Sequence, residues 1–319
     1  TTIAADVLAR YHRGLGDDVF FLTGTDENSQ KTVTAAKAAR KPLKAYTDDM
    51  ATQWQQMWDT LGISYDRFIR TTETEHAKSV LELVGRVEAS GDIYKGKYQG
   101  LYCEGCEAFY RPDDLEDGKC PIHHTLPQQL EEENYFFKLS KYQEPLLKHI
   151  KENPSFIAPE SRRNEVIAFI ERGLEDFSVS RAGKDWGIPW PGDKDQVVYV
   201  WFDALANYLS GVGFGKKDFD KWWPANLHLV GKDIIKFHCI YWPAILMSAG
   251  IELPVSVFAH GFFTLDGNKI SKSLGNAIDP TQLAGPYGID ALRYYLLSEI
   301  PFGGDGEFKH ERFEVVYET

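Results

Sequence analysis

No apolar run in this chain is long enough for a bilayer. The most hydrophobic stretch, Cys239 to Ile251, is broken by Pro243, Ser248 and Gly250, well short of the roughly 20 apolar residues that a spanning helix needs. Cysteine is scarce too, with 4 in 319 residues, which excludes a disulfide scaffold. Cys103, Cys106 and Cys120 lie near one another, which fits a reducing compartment and a metal site, so a cytoplasmic location is expected. The opening TTIAADVLARYHRG has no initiating Met, basic n-region or apolar h-region and reads as a cut rather than a leader or a natural start. Positive charge is in deficit, 35 Lys and Arg against 47 Asp and Glu, for a net charge of -12. That balance speaks against a bulk electrostatic grip on nucleic acid, although a basic channel can sit on an acidic body. No internal repeat or low-complexity tract is present. What remains, 43% hydrophobic and 26% charged residues, is the composition of a globular protein whose length suits about two domains.

Helical and strand periods alternate along the first part. Ile3, Val7, Leu8 and Tyr11 form one helical stripe ended by Gly14 and Gly16. Val19 to Leu22 reads as a short buried strand ending in Thr23, Gly24, Thr25 and Asp26, with helical sequence from Gln30 to Arg40. Met50, Trp54, Met57, Trp58 and Leu61 mark a helix, Phe68 to Arg70 a strand, and Val80, Leu83, Val84 and Val87 another helix. This βαβα alternation predicts an α/β fold with a doubly wound parallel sheet over 1–93. From about Ile93 the sequence becomes aromatic, Gly-punctuated and cysteine-containing, then polar and helical at Tyr142 to Glu152 and Asn164 to Arg172. Residues 94–195 are therefore expected to be an insertion. Val197 to Asp203, Leu227 to Val230 and Val255 to His260 read as strands, and Ile234 to Ala249 as a helix, which returns the sheet over 196–275. A helix at Ile289 to Leu297 belongs to a terminal region over 276–319.

Cys103-x2-Cys106 and Cys120-x2-His123 offer three thiolates and one imidazole, a set that zinc takes tetrahedrally. Gly105 and Pro121 suit the tight turns of such knuckles, and His124 competes with His123 as the fourth ligand. Four protein ligands close the coordination sphere, so the expected ion is structural, and its binding contributes on the order of 10 kcal/mol to folding of the insertion. Cys239, beside His238 in an apolar helix, reads as a small core residue.

After Phe258 the chain reads AHGFFTLDGNKISKSLGN, with Lys269 and Lys272 bracketing Ile270 and Ser271. Two lysines on a Gly-containing loop after a strand can both reach a polyphosphate and stabilise developing negative charge. In context the loop resembles the KMSKS signature of class I aminoacyl-tRNA synthetases. LTGTDE, YCEGCEAFY, CPIH, RRNEVIAFIERGLEDFSVSR, WGIPWPGD, YVWFDAL, GKDIIKFHCIYWPA and HGFF through KISKSLGN are similar, block by block and in order, to the methionyl-tRNA synthetase family. The resemblance covers essentially the whole chain.

It implies a Rossmann-type catalytic domain split by a zinc-binding connective insertion, and methionine activation with ATP followed by transfer to tRNA(Met). Magnesium is expected with the ATP. Asp26 is implied as the acceptor of the substrate ammonium, and Trp201, Ala204, Leu205, Tyr208, His238 and Trp242 as the lining around the methionine side chain. Arg181 and Asp233 are implied to hold and enclose the site. Lys269 and Lys272 are implied as the catalytic cations, with Ser271, Ser273, Gly231, Asp233, His260 and Gly261 around ATP. Taken singly, Trp201 and Trp242 read as core aromatics, His238 as a satisfied buried histidine and Asp26 as a turn residue; only their joint order favours a site. The reaction needs no protein nucleophile, and pocket fit alone separates analogues by about 1–3 kcal/mol per methylene.

Two departures stand out. Asn28 and Ser29 follow GTDE where the family usually has His and Gly, and nothing in the sequence explains them. The HIGH signature expected before Thr1, and the anticodon-binding domain expected after Thr319, are not in these residues, so the chain by itself is expected to be weak or inactive in adenylation. Rival readings are another class I synthetase, such as one for cysteine or leucine, a non-catalytic RNA-binding paralogue, and a nucleotidyltransferase acting on a small molecule.

Overall fold

The computed structural model describes residues 1–183, 185–265, 268–270 and 279–318. Helix α1 (Thr2–Leu15) stops at Gly16, whose left-handed φ of 90° turns its N–H back to the Arg13 carbonyl. Strand β1 (Leu22–Thr25) leads to α2 (Gln30–Ala38) and α3 (Leu43–Thr60), and β2 (Arg67–Arg70) leads to α4 (Thr74–Ala89). β1 and β2 pair in parallel, from Leu22 with Arg67 to Thr25 with Arg70. The ladder thus lies three residues beyond the expected start at Val19, because the pairing runs through LTGT, where Gly24 lets the chains approach. A Cβ on Gly24 would stand 2.0 Å from the Ile69 carbonyl oxygen.

The insertion carries β3 (Ile93–Cys103), β4 (Ala108–Tyr110), β5 (Gln128–Phe137), α5 (Gln143–Glu152), β6 (Ile157–Ala158), α6 (Glu160–Glu171), β7 (Phe177–Ser178), β8 (Ser180–Ala182), β9 (Pro189–Trp190) and β10 (Asp193–Val198). β3 is a long spine in the antiparallel order β4-β3-β5-β7. Then follow α7 (Val200–Ser210), α8 (Phe219–Trp222), β11 (His228–Gly231), α9 (Trp242–Ala249) and β12 (Val257–His260). β11 and β12 pair in parallel, and β6 adds to the far edge of β12. The insertion span therefore contributes a strand to the second parallel sheet. The terminal region holds β13 (Phe263–Leu265), β14 (Asn268–Lys269), α10 (Pro280–Tyr287), α11 (Ile289–Ser298), β15 (Gly306–Glu307) and α12 (His310–Glu318).

Val197 to Asp203 is not a strand throughout. β10 ends at Val198 and pairs antiparallel with β8 and β9, and α7 begins at Val200. Burial on nearly every side explains the misreading: Val200, Phe202, Asp203, Leu205, Ala206 and Leu209 are all buried, and a helix apolar all round has no periodic signature to set it apart from a buried strand. The helix expected over Ile234 to Ala249 is also broken, into a 3-10 turn, a π-helical turn at Phe237–Tyr241 and α9. Among the described residues no helix is long and apolar enough to cross a membrane.

One core joins α4, α7 and α9 to the insertion through Leu83, Val84, Phe137, Leu146, Phe202 and Ile245, with Cys239 fully buried in it. A second joins α1 to α11 and α12 through Ala9, Leu61, Tyr295 and Phe313. Asp6 ties this second group together. Its carboxylate has no exposed surface and accepts bonds from the Ser64 N–H and hydroxyl, each at 2.6 Å, from Arg10 Nε at 2.7 Å, and from Arg293. Burial pushes its pKa up, but these hydrogen bonds outweigh it and bring the value from 3.8 down to about 2. A depressed carboxyl pKa contributes stability that is complete above the unfolded value and is lost as pH falls through the folded one. Stability to denaturant is accordingly expected to drop between about pH 4 and pH 2; Asp6→Asn should lower it at neutral pH and flatten that stretch, and an unchanged slope would refute the role given to Asp6.

Candidate functional site

The C-terminal ends of parallel strands are where open α/β sheets bind ligands. A cleft of about 1130 Å³ lies between β1 and β11, and Asp26, Ala204, Tyr208, Trp223 and His228 are on its walls. Asp26, directly after β1, is open to the cleft yet surrounded by protein on its other sides. Desolvation there, followed by the nearby carboxylates of Asp203, Glu107 and Glu27, pushes its pKa up to about 8, against the Asn28 N–H that stabilises its charge. Solvent in the cleft screens part of this push. The crowding of negative charge favours a bound cation.

The loop that carries Asp26 is held from several sides. Glu27 is buried against Arg70, with bonds of 2.7 and 3.1 Å, and its N–H donates to the Thr71 hydroxyl at 2.9 Å. Asn28 Nδ2 donates to Asp203 Oδ2 at 2.7 Å and to the Thr71 carbonyl at 3.1 Å. Asp203 has no exposed side-chain surface, and its other oxygen meets His76 Nε2 at 2.5 Å, while His76 Nδ1 meets the Ser210 hydroxyl at 2.8 Å. The unexplained Asn28 thus has a physical task, supplying a donor to a buried carboxylate. Ser29 has one also, as N-cap of α2, accepting from the Thr32 N–H at 3.1 Å.

Another part of the cleft lining is aromatic. Tyr208 stacks on His228 with ring centroids 4.0 Å apart, and its hydroxyl lies 2.7 Å from His238 Nε2. His238 Nδ1 is 2.9 Å from the Ile234 carbonyl. A carbonyl can only accept, so Nδ1 carries the proton and Nε2 accepts from Tyr208. The π-helical turn places His238 for this bond. Burial lowers the pKa of His238 to about 4 and, with His238 nearby, that of His228 to about 3, so both rings are neutral at physiological pH. Trp242, fully buried, packs behind Tyr208 and Trp223 at centroid distances of 6.3 and 6.2 Å, and its indole N–H has no partner among the described residues. Leu205 is likewise core. Trp201 lies flat on Phe237 at 3.7 Å and donates its N–H to the Cys106 carbonyl at 3.2 Å.

Arg181 does not line this cleft. It pairs with Glu132 through two bonds of 2.8 and 2.9 Å, beneath the Tyr102 ring, and borders a cavity of about 30 Å³ shared with Asn28, Glu107 and Tyr199. Gly231 ends β11 with Asp233 just beyond it, and His260 ends β12 with Gly261 just beyond it, so all four stand at strand ends. Both glycines permit close approaches: a Cβ would meet Asp233 Oδ1 at 2.7 Å from Gly231 and the Gly304 carbonyl at 2.1 Å from Gly261. Lys269 closes the β13–β14 pairing opposite Thr264; Ser271, Lys272 and Ser273 lie outside the described residues.

Cys103, Cys106, Cys120 and His123 form one cluster whose ligand atoms all lie within 4.8 Å of one another. Cys106 Sγ is 3.4 Å from Cys120 Sγ and 3.3 Å from His123 Nδ1, near the edge of roughly 3.8 Å that tetrahedral bonds of about 2.3 Å require. Gly105 is needed here, since a Cβ would stand 2.7 Å from the His123 ring. The cluster could hold a metal ion, and His124, expected as a competing ligand, takes no part in it. The knuckle adjoins Trp201, whose indole N–H reaches the Cys106 carbonyl. His76, Glu107, Asp203 and His228 are the participants that pattern reading misses; Asp203, inside YVWFDAL, and Glu107, inside YCEGCEAFY, sit in recognisable blocks, whereas His76 and His228 do not.

The model for tRNA synthetases class I (M) matches residues 1–124 and 103–318. The chain is 51% identical over 318 residues to the methionine–tRNA ligase of Thermotoga maritima, covering 98% of this chain and 51% of that protein. It is 50% identical over 317 residues to that of Clostridium tetani, covering 98% and 50%. The chain spans about half the length of the curated relatives it matches. It superposes on Mycobacterium tuberculosis methionyl-tRNA synthetase bound by methionyl-adenylate with a TM-score of 0.96 at 47% identity, covering 100% of this chain and 64% of that one. For the free-state structure of that enzyme the TM-score is 0.82 at 46% identity, covering 98% and 60%. With the family's sequence pattern and its fold both present along nearly its whole length, the chain belongs to the methionine-type class I tRNA synthetases.

Proposed function

We propose that the protein activates L-methionine with ATP and transfers it to tRNA(Met) in the cytoplasm. The observation that carries this is Asp26, set in crowded negative charge in a cleft that it shares with Tyr208 and the neutral His228. In this reading Asp26 holds the ammonium, and Ala204, Leu205, Tyr208, His238, Trp201 and Trp242 shape the space for the side chain. A thioether gains roughly 0.3–1.5 kcal/mol from aromatic contacts beyond burial. The neutrality of His238 and His228 matters, because an imidazolium in that wall would repel the ammonium and draw in water.

The methionine carboxylate attacks the α-phosphorus of ATP, pyrophosphate leaves, and the acyl group then passes to the terminal ribose of tRNA. No side chain becomes covalently attached. Gly231, Asp233, His260 and Gly261 border the nucleotide at the strand ends, Arg181 braces the enclosing side through Glu132, and Lys269, Ser271, Lys272 and Ser273 meet the phosphates. ATP brings Mg²⁺ with it, and no described residue is assigned as its ligand. The closer superposition on the adenylate-bound relative than on its free form supports an arrangement suited to the adenylate. The division into a catalytic half over 1–93, an insertion over 94–195, a second half over 196–275 and a terminal region over 276–319 follows from the same reading.

Cys103, Cys106, Cys120 and His123 would hold one structural Zn²⁺, which supplies rigidity to the insertion and takes no part in the reaction. Metal analysis of reduced protein is expected to give about one zinc per chain, and chelation to melt the insertion; metal-free protein with unchanged circular dichroism would contradict the site. For the assignment, equilibrium dialysis should show saturable L-methionine binding that leucine and cysteine do not match. Absence of selective binding at about millimolar methionine, a typical upper KM, would overturn the assignment. Because Asp26 must be ionised to hold an ammonium and its pKa is raised to about 8, affinity should fall as pH drops below that value. The fall should approach tenfold per unit at most, about 1.4 kcal/mol, and Asp26→Asn should weaken binding and abolish the slope.

A further inference from the structure

Glu107 directly follows the ligand candidate Cys106 but points away from the knuckle, with a left-handed φ of 51° and only 5% exposure. Its carboxylate Oε1 accepts the N–H of Gln30 and, at 3.2 Å, that of Lys31. These are the first two N–H groups of α2, which the helix cannot satisfy itself, and Ser29 already serves the third, that of Thr32. Glu107 thereby completes the first turn of α2 from another part of the chain. Its own carbonyl accepts the Tyr199 hydroxyl, and the preceding carbonyl, of Cys106, accepts Trp201 Nε1 at 3.2 Å. One short peptide segment therefore grips both α2 and the start of α7.

Only residues 26–29 separate β1 from α2. With β1 fixed by its ladder to β2, the position of α2 sets where Asp26 stands. Arg70 and Asp203 hold the middle of this short loop from the sheet and α7 sides; Glu107 holds its far end from the insertion side. A carboxylate at a helix N-terminus is also favourable toward the helix dipole, so the geometry has an energetic reason to persist.

We propose that Glu107 is a positioning residue for amino-acid binding, which sets the Asp26 loop by clamping the first turn of α2 to the segment beside Trp201. This rests on the assignment of Asp26 to the substrate ammonium. A displacement of about 1 Å in such a group is enough to cost up to about a hundredfold in rate, so a loosened clamp has a measurable effect without any contact between Glu107 and substrate.

The test compares Glu107→Ala, which removes the acceptor, with Glu107→Gln, which keeps a carbonyl oxygen of similar reach. L-methionine affinity by equilibrium dialysis, ATP affinity and amide hydrogen exchange are measured on both, with metal content as a control. Expected are a loss of methionine affinity of about tenfold or more for Glu107→Ala, about 1.4 kcal/mol, with ATP affinity retained, faster exchange confined to residues 26–33, and substantial recovery in Glu107→Gln. Faster exchange at those amides with methionine affinity unchanged would overturn the proposal, leaving a helix cap and nothing more. Equal loss in both variants with the amides still protected would also overturn it, since charge rather than position would then be at work. An Asp26→Asn control that binds methionine normally would instead remove the Asp26 assignment itself, which separates failure of the premise from failure of the clamp.

Discussion

A carboxylate enclosed without solvent must be given donors for both oxygens, or the fold loses several kcal/mol. Asp203 is in that position, and the donors come from places far apart in sequence: His76 on α4 and Asn28 in the loop after β1. Satisfying this one group fixes how α4 packs on α7 and how the Asp26 loop lies across their ends. The same buried charge is among those that raise the proton affinity of Asp26. Structural anchoring and the electrostatics of the cleft are therefore the same constraint seen from two sides.

The two walls of the cleft are opposite in character for physical reasons that reinforce each other. One wall crowds carboxylates around Asp26, which makes the site hold negative charge reluctantly and a cation welcome. The other excludes water, and that exclusion keeps His228 and His238 neutral. Tyr208 links them, stacked on one ring and hydrogen-bonded to the other. A neutral His238 leaves Nε2 as an acceptor, so the tyrosine hydroxyl is turned toward it and the phenyl face is left for apolar contact.

Much of the fold is legible in the sequence where periodicity is unambiguous. The stripe of Val80, Leu83, Val84 and Val87 becomes the fully buried face of α4, and Cys103, Cys106, Cys120 and His123 converge as their spacing suggests. Periodicity fails where both faces are buried, as in Val197 to Asp203, and where a helix is locally rewound, as at Phe237–Tyr241. Asp26, Ala204 and Tyr208 share the cleft, whereas Leu205 and Trp242 support it from the core and Arg181 braces a neighbouring cavity. Order along the chain brings such residues to one region but does not say which face it.

Residue chemistry alone determined the donor set of the Cys/His cluster, the α/β alternation and the family to which the blocks belong, because each depends on residue types at short, fixed spacings. The tasks of Asn28, His76, Glu107 and His228 were decided only by the tertiary structure. A single asparagine or glutamate does not disclose its task even inside a recognisable block, as Glu107 is in YCEGCEAFY; its role arises from which unsatisfied backbone amide or buried carboxylate the folded chain brings within hydrogen-bond reach.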